Sequence, residues 1–314
     1  MMERKSLLVW LVVFFAIVPF FSGSDYHLQL ATQLLIFVIL FIGVDIAVGH
    51  AGLVSVAHGA LFGVGAYATA VLTVDHGLNF WLSIPAGIVL AAIFGLLIGV
   101  LTLKLAGHYF VIATMAFALL IHIASKNLAI THGELGISNI SKPAVLEWFP
   151  GNQALGFYFL IAVAAFVVAV LYFWLMRSAF GRRLRAIRDN PLLADAIGID
   201  ISTAKLLAFV VSASIAAFAG SFHAVFLTYI NPAVTGYELG FTALMALIIG
   251  GRTTIGGIIV GAFIFAILPE ILRNAEQYRL VIMGVILIVV VQRAPSGIYG
   301  KLVDWTGLIR KWRP

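Results

Sequence analysis

"GRRLRAIRDNPLLADAIGIDISTAKLLAFVVSASIAAFAG", residues 181–220, joins the most charged stretch of the chain to one of its most apolar. The first half holds Arg182, Arg183, Arg185 and Arg188 together with Asp189, Asp195 and Asp200. The second half opens an apolar run, 204–229, of the length that spans a bilayer as a helix, about 20 residues. The rest of the chain follows the second half. It has 314 residues, 62% hydrophobic and only 10% charged, with a mean hydropathy of +1.11. One soluble core could not bury that much apolar surface, so the fold class is all-α: a polytopic membrane protein with about ten transmembrane helices, read as a single transmembrane domain over 1–314.

Working outward, apolar runs and their breaks place spans near 7–21, 28–48, 51–74, 81–103, 107–125, 155–176, 204–229, 238–250, 254–271 and 279–293. Residues 1–21 start positive and turn apolar like a signal peptide, but "SLLVWLVVFFAIVPFF" is followed by no small-residue cleavage site. A retained first span is expected. The run 238–250 is too short to cross alone, which implies tilt or a broken helix buried against protein. Cysteine is absent, which excludes disulfides, thiolate metal sites and cysteine nucleophiles.

Charge tests this map independently, because short cytoplasmic loops are enriched in Lys and Arg. With the N-terminus inside, only Lys126, Lys142, Arg273 and Arg279 of the 19 basic residues fall on the outer side. Both termini are therefore expected in the cytoplasm, with 177–203 a cytoplasmic loop and 126–154 an extracytoplasmic one. Basic loops facing anionic lipid account for the pI of about 9.7 without nucleic acid.

Within the charged loop, Asn190 suits a helix N-cap, Pro191 the first helical position and Gly198 a left-handed C-terminal cap. Asp200 or Ser202 can cap the span that follows. A small helix is expected, with Leu192, Leu193, Ala196 and Ile197 as an apolar patch it cannot bury alone. Arginines alone would satisfy topology; the caps specify a shape for something to cover.

"LRAIRDNPLLADAIGIDISTAKLLAFVVSASIAAFAG" resembles the cytoplasmic loop and following helix of permease subunits from ABC importers of branched-chain amino acids. The resemblance extends to "VGHAGLVSVAHGALFGVGAY" (48–67), "LIIGGRTTIGGIIVGAFIFAILPEIL" (247–272) and "APSGIYG" (294–300), four segments in order. It implies that the loop is a coupling helix seated in a cleft of an ATPase subunit. Arg188, Asp189, Asn190, Pro191, Leu192, Ala194, Asp195, Ala196 and Gly198 would form that contact, Asp195 standing in for the family's acid. The implied partners are a paralogous permease, two ATPase subunits carrying ATP and Mg, and an extracytoplasmic solute-binding protein, assembled in a prokaryotic inner membrane. The chain has no G-x-x-x-x-G-K-[ST] phosphate loop, so it is not expected to be an enzyme, and it binds no cofactor of its own.

Two features point to a substrate path. "VGHAG" interrupts an apolar run, and interrupted helices expose backbone groups that can hold a polar solute, which makes Gly52, Ser55, His58 and Gly59 candidates. Their glycines serve close helix packing as well. Asp45 is the one acid inside a span, a functional hypothesis by default, although it could reach headgroups or pair with His50. His108, His122, His132 and His223 lack metal-ligand spacing, and no metal is expected. The substrate reading is branched-chain or related aliphatic amino acids. Urea or short amides moved by the same architecture, and an ion-gradient-driven secondary transporter, remain the alternatives.

Overall fold

The computed structural model describes residues 25–105, 107–144, 146, 152–271, 278–294 and 296–305. The predicted span 7–21, the aromatic pair Trp148 and Phe149 and the loop acid Glu147 lie outside the described residues. The other nine predicted spans each correspond to a helix: α1 (Asp25–Asp45), α2 (His58–Val74), α3 (Phe80–Thr102), α4 (His108–Asn127), α5 (Gln153–Arg177), α8 (Ile201–Leu227), α9 (Tyr237–Gly250), α10 (Ile255–Ile271) and α11 (Arg279–Arg293). Between α5 and α8 lie α6 (Ala179–Asp189) and α7 (Pro191–Ala196), and α12 (Gly297–Trp305) follows α11.

Five helical segments among the described residues are long and apolar enough to cross a membrane: Tyr26–His50, Phe80–Thr102, His108–Asn127, Gln153–Arg177 and Ile201–Leu227. Their outer faces are apolar too. Leu82, Ile112, Leu171 and Trp174 are all more than 60% or at least 60% exposed, a pattern that water would penalise and lipid does not. The chain is an integral membrane protein.

α8 is the centre of the bundle, packed by α1, α2 and α3. Its inward face is small: Ala208, Ser212, Ala216, Ala217, Gly220 and Ala224 are buried. Small residues let helices approach until backbones touch, the main source of packing energy where lipid removes the hydrophobic drive. A Cβ on Gly65 of α2 would collide with the backbone of Ala217, and one on Gly220 with the carbonyl of Phe62. The α2–α8 crossing therefore needs glycine at both positions.

Two sequence expectations are corrected here. Residues 51–74 were expected as one span, but the helix begins only at His58. Before it, α1 loosens into a π turn (Ile46–His50) and 51–57 is mostly irregular. The loop 177–203 was expected to hold one small helix, and it holds two. Ser178 caps the first by accepting from the Phe180 N–H, and "AFGRRLRAIRD" buries Gly181, Leu184 and Ile187 on one face while its arginines take the other. That amphipathic pattern is a helix signal overshadowed by the charge it carries.

The segments after α4 and α8 also have structure. Two-residue strands β1 (Ile137–Ser138) and β2 (Tyr229–Ile230) pair antiparallel, Ile137 against Ile230. Thr228 ends α8 in the left-handed region, and its carbonyl accepts the Ile140 N–H at 3.2 Å. The Asp75 carboxylate and His132 meet at 3.2 Å.

Candidate functional site

The caps of the charged loop form as the sequence implies. Asn190 accepts from the Leu193 N–H at 3.1 Å, Pro191 opens α7, Gly198 has φ +81°, and Asp200 accepts from the Thr203 N–H at 3.0 Å and its hydroxyl at 2.6 Å. The Thr203 hydroxyl and N–H hold the Asp200 carboxyl below the usual carboxylate range. Regular α-helix ends at Ala196, and the turn 197–198 carries the chain to α8. Leu192 is 84%, Leu193 60% and Ile197 67% exposed, and Ala196 and Asp195 are exposed beside them. Ala194 instead turns inward and is buried against the chain itself. So the helix has a seat, Ala194, and an uncovered apolar face.

At the inner end of α1 the chain builds a buried polar cluster. Asp45 is fully buried. One of its carboxylate oxygens accepts from the Thr253 N–H at 2.7 Å and the other from the Tyr172 hydroxyl at 2.6 Å. His50 Nε2 lies 2.9 Å from the Tyr172 hydroxyl and 3.4 Å from the carboxylate. Since the hydroxyl donates to Asp45, His50 donates to the hydroxyl. Thr253 has φ +67° in the turn between α9 and α10, which aims its N–H at Asp45. Gly49 is required beneath, because a Cβ there would strike the Asp45 carboxylate. Headgroup contact, one of the sequence options for Asp45, is replaced by pairing inside protein.

The cluster continues onto the charged loop. In the π turn the Ala51 N–H returns to the Ile46 carbonyl and the Leu53 N–H to that of Ala47, so the Gly49 carbonyl is released from the ladder. Arg188 Nη1 donates to it at 2.9 Å, while Nε and Nη2 hold Asp189 at 3.1 and 3.0 Å. Arg188 and Asp189, expected to face a partner, thus begin by joining α6 to the interrupted helix. Gly52, with φ +70°, backs onto the aliphatic stem of Arg188 and is otherwise exposed.

A second polar group sits deeper. The Ser212 hydroxyl donates to the Gly43 carbonyl at 2.6 Å and receives from His58 Nε2 at 2.6 Å, tying α1, α2 and α8 together. Ser55 accepts from the Ala57 N–H, and the Val56 N–H reaches the Thr114 hydroxyl of α4. Irregular backbone at membrane depth survives only when its groups are met this way. Gly59 packs against the backbone of Gly240. Ser55, His58 and Gly59 are all buried in side-chain and backbone contacts, so in the isolated chain they hold the interruption in shape. Among the described residues, no group of His, Asp and Glu has the arrangement of a metal site.

A family model described as "Branched-chain amino acid transport system / permease component" matches residues 26–291. The chain belongs to that family. It is 27% identical over 320 aligned positions to the high-affinity branched-chain amino acid transport system permease protein LivM of Escherichia coli strain K12, covering 94% of this chain and 75% of the relative. It is 29% identical to the probable branched-chain amino acid transport permease protein LivH of Methanocaldococcus jannaschii, covering 87% and 90%. The fructose import permease protein FruF of Bifidobacterium longum is 26% identical, over 89% and 78%. No solved structure matched the chain.

Among the described residues of the permease, two clefts lie beyond these clusters. One, about 800 Å³, runs along α2, α3 and α4 and is walled by Val71, Leu90, Phe94, Leu97, Phe117 and Leu120 among others. The other, about 440 Å³, lies at the outer end between Lys126, Glu134, Asn231, Tyr237 and Glu238. His122, Ser125 and Thr235 separate them, His122 Nδ1 lying 3.1 Å and the Ser125 hydroxyl 2.9 Å from the Thr235 hydroxyl. Neither cleft was anticipated by residue type.

Proposed function

We propose that the permease is the transmembrane subunit of an ATP-driven importer of branched-chain or related aliphatic amino acids, coupled through α7 to a separate ATPase subunit. The observation that carries this is the capped α7 with Leu192, Leu193 and Ile197 uncovered on the basic face. Such a patch on so short an element has no cover among the described residues, and a desolvated cleft on another protein is the fitting cover. The apolar cleft along α2, α3 and α4 supports aliphatic cargo, since ligand pockets are mostly apolar with a few placed polar groups. In this reading ATP and Mg belong to the two ATPase subunits, a paralogous permease completes the path, and an external binding protein delivers substrate. Both termini face the cytoplasm. The exposed interruption at Gly52 lies on the path, held in shape by Asp45, Ser55, His58 and Gly59.

Leu192→Asp tests it. An unpaired charge in a desolvated contact costs about 3–5 kcal/mol, which weakens binding at least 100-fold. The ATPase subunit should be lost from a pull-down of the permease while the permease itself stays folded in the membrane. Retention of the ATPase with normal substrate-stimulated hydrolysis would reduce the loop to a topological anchor.

The similarity to FruF favours keeping a second cargo reading, a small polyol or sugar, alongside urea or short amides. Competition of labelled leucine uptake by unlabelled candidates separates these. A gradient-driven transporter is favoured only by the Asp45 and His50 pairing. Uptake that survives collapse of the proton gradient at constant ATP argues against it.

A further inference from the structure

The arginines of α6 do not act alike. Arg182 Nη1 donates to the Arg177 carbonyl at 2.9 Å and Arg185 Nη1 to that of Met176 at 2.8 Å. Both fold back onto the end of α5, where the last helical carbonyls have no N–H partner of their own. Arg188 leaves the hairpin and reaches a carbonyl far away in sequence, Gly49. It stands two residues before the Asn190 cap, next to the exposed face of α7. Asp189 grips the Nε edge of the guanidinium, which fixes the plane of the fork and leaves Nη1 directed at Gly49.

We infer that Arg188 is a positioning residue that transmits motion of α7 to the interrupted helix, 46–57, and so couples ATP hydrolysis to opening of the path. The inference rests on the reading that α7 docks the ATPase subunit. The segment is suited to this role because its two sides are held differently. On the bundle side, Asp45 ties it to Tyr172 of α5 and to the turn at Thr253. On the loop side, among the described residues, the one hydrogen bond from α6 is that of Arg188, with Gly52 lying against its stem. Within the segment the regular ladder is already broken at Gly49, so a change in the loop acts on a backbone that has few helical bonds to lose. Coupling of this kind is a property of contiguous packed and hydrogen-bonded groups with two arrangements, and here every member is named.

The test uses the complete complex in proteoliposomes and reads ATP hydrolysed per substrate moved. Arg188→Gln, with the ATPase subunit retained, should raise that ratio at least about fivefold, a coupling loss of the usual allosteric size. Arg188→Lys, which can still reach the Gly49 carbonyl but cannot also hold Asp189, should fall between. Arg182→Gln should leave the ratio as in the unmodified complex. A merely structural residue would lower hydrolysis and transport in proportion, and an unchanged ratio or a proportional fall in both overturns the inference. Should Arg188→Gln fail to assemble, hydrogen exchange in the unmodified complex decides. Amides of 46–57 should change protection between the nucleotide-free and vanadate-trapped states, and no change there overturns it. Leu192→Asp reports separately: if it keeps the ATPase bound, the docking reading falls and the inference with it. If it releases the ATPase while Arg188→Gln keeps a normal ratio, the inference alone falls.

Discussion

Replacing Asp45 distinguishes a carboxylate needed for its hydrogen bonds from one needed for its charge. In Asp45→Asn the side-chain carbonyl can keep the Thr253 N–H, now 2.7 Å from the carboxylate. The amide nitrogen then occupies the other oxygen's position and donates to the Tyr172 hydroxyl, which in turn donates to His50 Nε2 with the imidazole in its other tautomer. Every bond survives with two directions reversed. Charge assistance is lost, about 1–2 kcal/mol over two bonds, and the imidazole proton moves to Nδ1, which is buried with no partner among the described residues and adds a further cost. Asp45→Ala instead deletes both charge-assisted bonds and leaves the Thr253 N–H buried without an acceptor, about 1.5–3 kcal/mol for each bond and about 3–6 kcal/mol together. Heating the detergent-solubilised permease and following the monodisperse fraction by size exclusion should rank native above Asn and Asn well above Ala. ATP-driven uptake should follow the same order, with Asn retaining most of it. If Asn proves as damaging to uptake as Ala while remaining folded, the charge itself is required, and the gradient-driven reading gains the coupling site it otherwise lacks.

Three further expectations concern the frame around this cluster. Gly65→Ala should destabilise by about 1–3 kcal/mol through overpacking against the Ala217 backbone. Gly284→Ala in α11, where a Cβ meets nothing within 4 Å, should instead stabilise by up to about 1 kcal/mol; equal effects in the same thermal assay would refute the packing account. With no native cysteine, Glu134→Cys should react with an impermeant thiol reagent in intact cells and Arg183→Cys only after permeabilisation; the reverse pattern inverts the orientation. The Asp200 carboxyl is held below its usual range, so its cap contributes fully above the unfolded carboxylate value of about 3.9 and fades as pH falls through the lower folded value. Asp200→Asn should flatten the acid limb of thermal stability, and an unaltered limb would show that the cap does not contribute.

The spans were legible because a bilayer imposes length and hydropathy on every helix, and the caps of α7 because Asn190, Pro191 and Gly198 each meet a local backbone requirement. These demands are satisfied within a few residues of sequence. The wiring of the site is not local. Nothing near Asp45 in sequence announces Tyr172 or Thr253, and a backbone N–H carries no residue-type signal at all. Gly59 was read both as a packing and as a path residue, and only the crossing geometry with Gly240 shows what it touches. Arg188 was read as a partner contact through the family resemblance; its direction is set by the Asp189 side chain and by a carbonyl that the π turn releases. The amphipathic face of α6, with Leu184 and Ile187 buried, was present in the sequence and was masked by the surrounding charge.

The bond between Arg188 and position 49 ends on a main-chain oxygen. An acceptor of that kind is supplied by any residue, so no exchange at position 49 can be answered by an exchange at 188. Whatever pressure acts on Gly49 comes from the other side, from the carboxylate of Asp45 lying against its missing Cβ. Across many related sequences, covariation would therefore link 45 with 49 and stay silent about 188. The joint between the helix bundle and the charged loop would leave no statistical trace, and it would have to be found by chemistry that labels, cross-links or exchanges the backbone itself.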